Sequence, residues 1–320
     1  MNYNLLIENL TNPALLFFVL GIIAVYLKSD LEIPSNSSKF ISLYLLFAIG
    51  FKGGQELSHE GFTLEIGWSM LFGISISSII PMYTFFILKR KLNIYDAGAI
   101  AAAYGSVSAV TFVTAISYLE SQQLTLHGHM VAIMALMESP SIIIGLILIS
   151  IFSKDEYNKI NKRSIVAHSF TNGSVLLILG SLIIGFLASA KQAEGIKPFT
   201  NDLFKGFLAI FLLDIGITSG KKLKAFFSFG WFPVIFAIII PLFNGCAIAV
   251  ISSFITHDIS NRFMFAVLAA SASYIAVPAA INISVPKANP GLFLPMALAV
   301  TFPINITIGL PIYFLIVQNT

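Results

Sequence analysis

Ten apolar segments run along this chain, at about residues 13–28, 39–55, 65–88, 97–119, 129–152, 174–190, 203–219, 229–255, 262–284 and 291–317. Each is long enough, or nearly so, to cross ~30 Å of hydrocarbon as a helix. Polar stretches such as KSDLEIPSNSSK, KRKLNIYD, SKDEYNKINKRS and SGKKLK separate them. Only 10% of the residues are charged, where a soluble protein carries ~25%. So few charges cannot clothe a water-facing surface, and most of the surface must face lipid. In lipid a segment has to satisfy its own backbone hydrogen bonds, so long continuous apolar segments become helices. A closed β-barrel would need short alternating segments instead. The expected class is an all-α integral membrane protein with ten transmembrane helices.

Several function classes drop out. The single cysteine, Cys246, excludes a disulfide framework or a cysteine-based metal site within one chain. A net charge of +3, scattered along the sequence, does not suggest nucleic acid. There is no GxSxG elbow, HExxH, Walker A loop or GxGxxG after a strand, so no enzyme signature and no implied organic cofactor. Without an ATP motif, a gradient-driven carrier is favoured over a pump. The first apolar run follows no Lys or Arg and precedes no small-residue cleavage site, so it reads as a helix that stays.

Charge asymmetry sets the expected orientation. With the N-terminus outside, the inner loops hold thirteen Lys and Arg residues and the outer loops five, Arg262 and Lys205 among them. Both termini are therefore expected outside and the polar segment 153–172 in the cytoplasm.

The chain also repeats itself. IAAAYGSVSAVTFVTAIS from Ile100 matches VLAASASYIAVPAAINIS from Val267 at an offset of 167, with Ser106 on Ser273. LFAIGFKGGQEL from Leu46 matches LLDIGITSGKKL from Leu212, Gly67-Trp68 matches Gly230-Trp231, and SPSIIIGL, ending at Leu146, matches FPINITIGL, ending at Leu310. The division is 1–152, a linker 153–172, and 173–320. Five helices per half is odd, so the second copy enters the membrane from the opposite side. Two inverted five-helix repeats result, the architecture of alternating-access carriers. The competing reading is that small residues recur because they let helices pack closely.

A hydrophobic helix interrupted by small polar residues in both halves points to a midplane site. At a helix break, free N–H groups carry partial positive charge and bind anions, and glycine or alanine lets an oxyanion approach. Gly105, Ser106, Ser108 and Thr111 form one candidate half-site, and Ser271, Ala272 and Ser273 the other. Pro278 frees a carbonyl one turn earlier, a potential sodium ligand. Two carboxylates lie deep in apolar sequence, Glu138 and Asp214, where charge is costly and usually functional. Either can ligate sodium, carry a proton or, for Asp214, pair with a lysine. Asn305, Thr307 and Asn282 can complete a polar lining. Lys52 can draw anions to the outer mouth or serve as an interfacial lysine. His127 and His129 read as solvated loop residues.

GSVSAVT from Gly105, AASAS from Ala269, VPKANPG from Val285, FPINITIGLPIYF from Phe302 and AIGFKGG from Ala48 resemble the sodium-dependent bicarbonate transporter family of cyanobacteria and other bacteria. The likeness runs in order along the whole chain. It implies sodium-coupled bicarbonate uptake at the bacterial plasma membrane, with Na+ as coupling ion. It also implies core and gate domains, elevator-like motion, a trimer and, for some members, a PII-like cytoplasmic regulator. The family tends to carry an acid at the position of Glu138. Its cyanobacterial members have a serine-rich second motif with an acidic residue where Tyr274 stands here, and a serine where Ala276 stands. The linker is also short here, which weakens the implied regulator. Another small anion, such as a short carboxylate, is the second reading. A membrane sensor or intramembrane enzyme using Glu138 and Asp214 is the third.

Overall fold

A computed structural model describes residues 11–60, 63–153, 173–274, 277, 280–281 and 284–320. Among the described residues there is helix and no strand. The helices are α1 (Pro13–Tyr26), α2 (Ser35–Glu60), α3 (Leu64–Leu88), α4 (Ile94–Gly105), α5 (Ala109–Ser121), α6 (Gly128–Phe152), α7 (Gly173–Leu187), α8 (Ala190–Lys197), α9 (Phe204–Phe226), α10 (Trp231–Ile251), α11 (Ile259–Ala270) and α12 (Pro290–Asn319). Val277, Ala280, Ile281 and Ser284 are also helical. Among the described residues six runs are long and apolar enough to cross a membrane, and α1, α7 and α11 are shorter apolar helices. Leu71, Ile79, Ile183, Ile239 and Phe243 are exposed at mid-helix, as lipid-facing side chains would be. Among the described residues three π-helical stretches occur: Pro198–Asp202 between α8 and α9, and Met296–Thr301 and Asn305–Gly309 inside α12. Such stretches are rare and frequently mark functional regions.

Packing sorts the helices into two groups. In one, α1 lies on α9, and α2 on α7 and α9. In the other, α3, α4 and α6 pack together, α10, α11 and α12 pack together, and α5 lies against α11. The first group is joined through glycine. A Cβ at Gly216 would strike the Phe18 carbonyl, and one at Gly21 the Leu213 carbonyl. In the α2–α7 pair, a Cβ at Gly54 would strike the Leu182 carbonyl, and one at Gly185 the Phe51 carbonyl. Backbones this close need residues without side chains, as is common between membrane helices. The repeated AIGFKGG and DIGITSG stretches therefore mark helix contacts. Gln55 of α2 donates to the Gly185 and Ala188 carbonyls, which have no helical partner at the end of α7.

Two side chains differ from their sequence readings. Arg262, counted with the loop charges, is buried at 4% exposure. Its guanidinium donates to the carbonyls of Ala249 (3.0 Å) and Val317 (3.2 Å), tying the start of α11 to the ends of α10 and α12. It satisfies helix C-termini rather than facing a headgroup. His129 is buried in the first turn of α6, and His127 at the cap of that helix pairs with Asp258 at 3.3 Å.

Two facing helix breaks

Both interrupted helices are built alike. Asn93 caps α4, accepting from the Asp96 N–H at 2.9 Å, and Asp258 caps α11, accepting from the Asn261 N–H at 2.8 Å. Both helices run twelve residues. Each ends on an extended serine, Ser106 (φ −87°, ψ −177°) or Ser271 (φ −80°, ψ 165°). Two residues further on, a serine caps the next helical segment: Ser108 accepts from the Thr111 N–H at 3.2 Å and Ser273 from the Val277 N–H at 3.4 Å. The two N-caps, the two terminal serines and the two serines that follow them each fall at an offset of 165, so Ser106 matches Ser271, Ser108 matches Ser273, and Ala109 matches Tyr274, while the amide bonded by Ser273 lies one residue further on than the one bonded by Ser108. This corrects the sequence alignment by two residues. Matching letters in alanine-rich sequence fixes register poorly, whereas capping hydroxyls fix where a helix stops and starts.

The breaks meet. The Ser273 N–H donates to the Ala103 carbonyl at 2.8 Å. The Ser108 N–H donates to the Ser271 hydroxyl at 3.0 Å, which donates in turn to the Leu268 carbonyl at 2.9 Å. Ala103 and Leu268 stand at the same offset of 165, so each break reaches the equivalent carbonyl of the other helix, once directly and once through a serine. These two amides are thereby engaged with protein.

Ser106 is different. Its hydroxyl is buried and has no hydrogen-bond partner among the described residues, although its counterpart Ser271 has two. A buried hydroxyl without a partner costs ~1–3 kcal/mol. Beside the breaks lies a cavity of about 20 Å³ lined by Leu46, Val107, Ser108, Ala109, Glu138, Ser273 and Tyr274. That volume holds one water-sized group, since ~10–15 Å³ suffices for a water. It is too small for three oxygens around a carbon. The Tyr274 hydroxyl lies alongside Ser108 without a hydrogen bond of good geometry.

The other predicted residues sit around this centre. Gly105 ends α4, where a Cβ would overlap Pro81 of α3 and come within 2.5 Å of the Ser141 hydroxyl of α6. Thr111 and Ala272 are buried in or next to the breaks. Asn305 does not line the cavity: its amide donates to the Ala270 carbonyl at 2.7 Å, at the end of α11, and its carbonyl accepts from Tyr313 at 2.8 Å. Asp214 does not line it either: its carboxylate accepts from Ser38 of α2, so the two intramembrane acids occupy different surroundings. Pro278, Ala276 and Asn282 lie outside the described residues.

Three supports have no signal in the sequence reading. Asp96 accepts from the Asn289 N–H at 2.7 Å, anchoring the VPKANPG turn to the start of α4. Asn93, three residues before Asp96, is a visible capping signal, but the link to residue 289 is not. Tyr104 bonds Thr301 at 2.7 Å, and Thr301 donates to the Ala237 carbonyl at 2.8 Å. Ser141 donates to the Ala102 carbonyl at 2.7 Å, holding the last turn of α4.

A family model described as the Na+-dependent bicarbonate transporter superfamily matches residues 13–318. The chain belongs to this superfamily. Its apolar helices and its membership make it a multi-pass membrane protein of a transporter family whose transported species are bicarbonate and Na+. A comparison with curated proteins finds no match.

Proposed function

We propose that this chain is a sodium-coupled bicarbonate symporter of the bacterial plasma membrane, not an enzyme, and works by alternating access. The observation that carries the reading is the pair of facing breaks with a buried hydroxyl, Ser106, that has no partner among the described residues, and a carboxylate, Glu138, beside them. Ser106 and the break backbone around Gly105, Val107 and Ala272 receive the anion. Glu138 holds sodium, a hard cation that prefers oxygen ligands. Ser108, Thr111, Ser271 and Ser273 shape the breaks. Asn305 supports the site by satisfying the end of α11, and Asp214 acts on it from α2 and α9, within electrostatic reach of Tyr274. Pro278 remains a proposed source of a freed carbonyl.

The repeats are residues 1–152 and 173–320, inverted across the membrane, with five helices each. Their support is the shared cap register, the reciprocal bonds between breaks and the matching glycine contacts of α1–α9 and α7–α2. The α1, α2, α7, α9 group is the gate and the broken-helix group the core. A cavity of about 20 Å³ cannot admit bicarbonate until the two groups move apart, which is what an elevator-like motion supplies. Removing Arg262 from the outer tally strengthens the bias toward termini outside. Trimeric assembly and a PII-like partner rest on the family resemblance alone.

A second reading keeps the fold and carries a short carboxylate; Tyr274, in the cavity wall where the family has an acid, favours it. Competition separates them. Uptake of labelled bicarbonate into proteoliposomes is expected to be blocked by unlabelled bicarbonate and little affected by equal acetate or lactate. Stronger inhibition by a short carboxylate would transfer the assignment to that anion.

A further inference from the structure

A second polar cavity, of about 230 Å³, opens between α2, α5 and the start of α9. At its wall a carboxylate bridges two ammonium groups. Glu120 Oε1 lies 3.1 Å from Lys52 Nζ, and Glu120 Oε2 lies 3.1 Å from Lys205 Nζ. Asp202, nearby in the chain, is exposed and does not line the cavity, so the lining carries one net positive charge. The three residues are far apart in sequence, which is why they read separately as interfacial or loop charges.

The geometry points to this cavity as an antechamber that binds a carboxylate-type monoanion, bicarbonate or a short carboxylate, before it reaches the helix breaks. Glu120 already displays the binding mode. An incoming bicarbonate offers the same pair of oxygens as the glutamate side chain and can take its place on the lysines, first on Lys205, which is the more exposed at 68% against 39% for Lys52. Position supports the route. The break cavity includes Leu46 of α2 and Ala109 of α5, and the antechamber includes Ile49 of α2 and Ile116 of α5. At 1.5 Å per residue the two are separated by ~5–10 Å along the same pair of helices. Exchange of Glu120 for a free anion also releases α5, in one packing group, from α2 and α9, in the other. Anion capture thus loosens the seam that must open. A positively charged cleft raises the local concentration of anions, an effect that salt weakens.

The inference rests on the transport reading only for which anion is carried, and its test does not need transport. Line broadening of isotopically labelled bicarbonate and, separately, formate is measured with the purified full-length protein at low salt. Glu120→Gln frees both lysines and is expected to tighten binding by about two- to fivefold, the factor a partly exposed ion pair is worth. Lys52→Gln/Lys205→Gln is expected to lose the interaction. Lys205→Gln alone, at the exposed position, is expected to weaken it by about two- to fivefold while keeping the thermal unfolding of wild type. Equal broadening in wild type and all three variants would overturn the antechamber. Formate binding that follows the lysines, in a protein that takes up no bicarbonate, would support the antechamber while ending the bicarbonate reading.

Discussion

Glu138→Gln is expected to raise the sodium concentration needed for half-maximal uptake by roughly 10- to 150-fold, while the protein still folds. The variant keeps the shape of the side chain and removes its charge. Glu138 lines a cavity with room for a single water-sized group, and no hydrogen bond or ion pair with a described residue compensates its carboxylate. A bare carboxylate at that depth is expensive and persists where a cation or proton uses it. Losing one charge-assisted contact costs ~1.5–3 kcal/mol, which gives the stated factor. The check is a sodium-activation curve in proteoliposomes, with thermal unfolding in detergent to confirm folding. An unchanged curve would remove Glu138 from the ion site.

Ser106→Ala is expected to raise the KM for the anion by roughly 10- to 150-fold, the loss of ~1.5–3 kcal/mol for a hydrogen bond to a charged partner. The unfolding midpoint is expected to stay the same or rise, because the hydroxyl has no partner among the described residues. That combination distinguishes Ser106 from Ser108. The Ser108 hydroxyl caps α5 by accepting from Thr111, so Ser108→Ala also costs ~0.5–2 kcal/mol of stability and blurs any effect on binding. An unchanged KM in Ser106→Ala would place the anion elsewhere.

The helical membrane class is legible in the sequence because apolar length and scarcity of charge leave a chain few other choices. The two helix breaks are legible too, because small residues and serines cluster together at mid-segment in both halves, a denser pattern than close helix packing alone requires. Their register is not. Residue identity matches Ser106 to Ser273, whereas caps at Asn93, Asp258, Ser108 and Ser273 make Ser271 its counterpart. Capping is a local property, but choosing among several nearby serines requires knowing where the chain turns. Long-range pairings are the least legible. Asp96 with Asn289, Asn305 with Ala270, and Glu120 with both lysines join residues from helices whose adjacency no local pattern encodes. Arg262 illustrates the same limit: a charge beside polar loop sequence reads as surface, yet helix ends needing donors bury it.

The central claim is that the two facing breaks couple the entry of an anion to that of sodium. The most direct measurement is accumulation of labelled bicarbonate in proteoliposomes containing only this protein, under an inward sodium gradient and then with sodium equal on both sides. Accumulation above the external concentration with the gradient, collapsing to equilibration without it, is the predicted result. Uptake that is absent, or indifferent to the gradient, would contradict it.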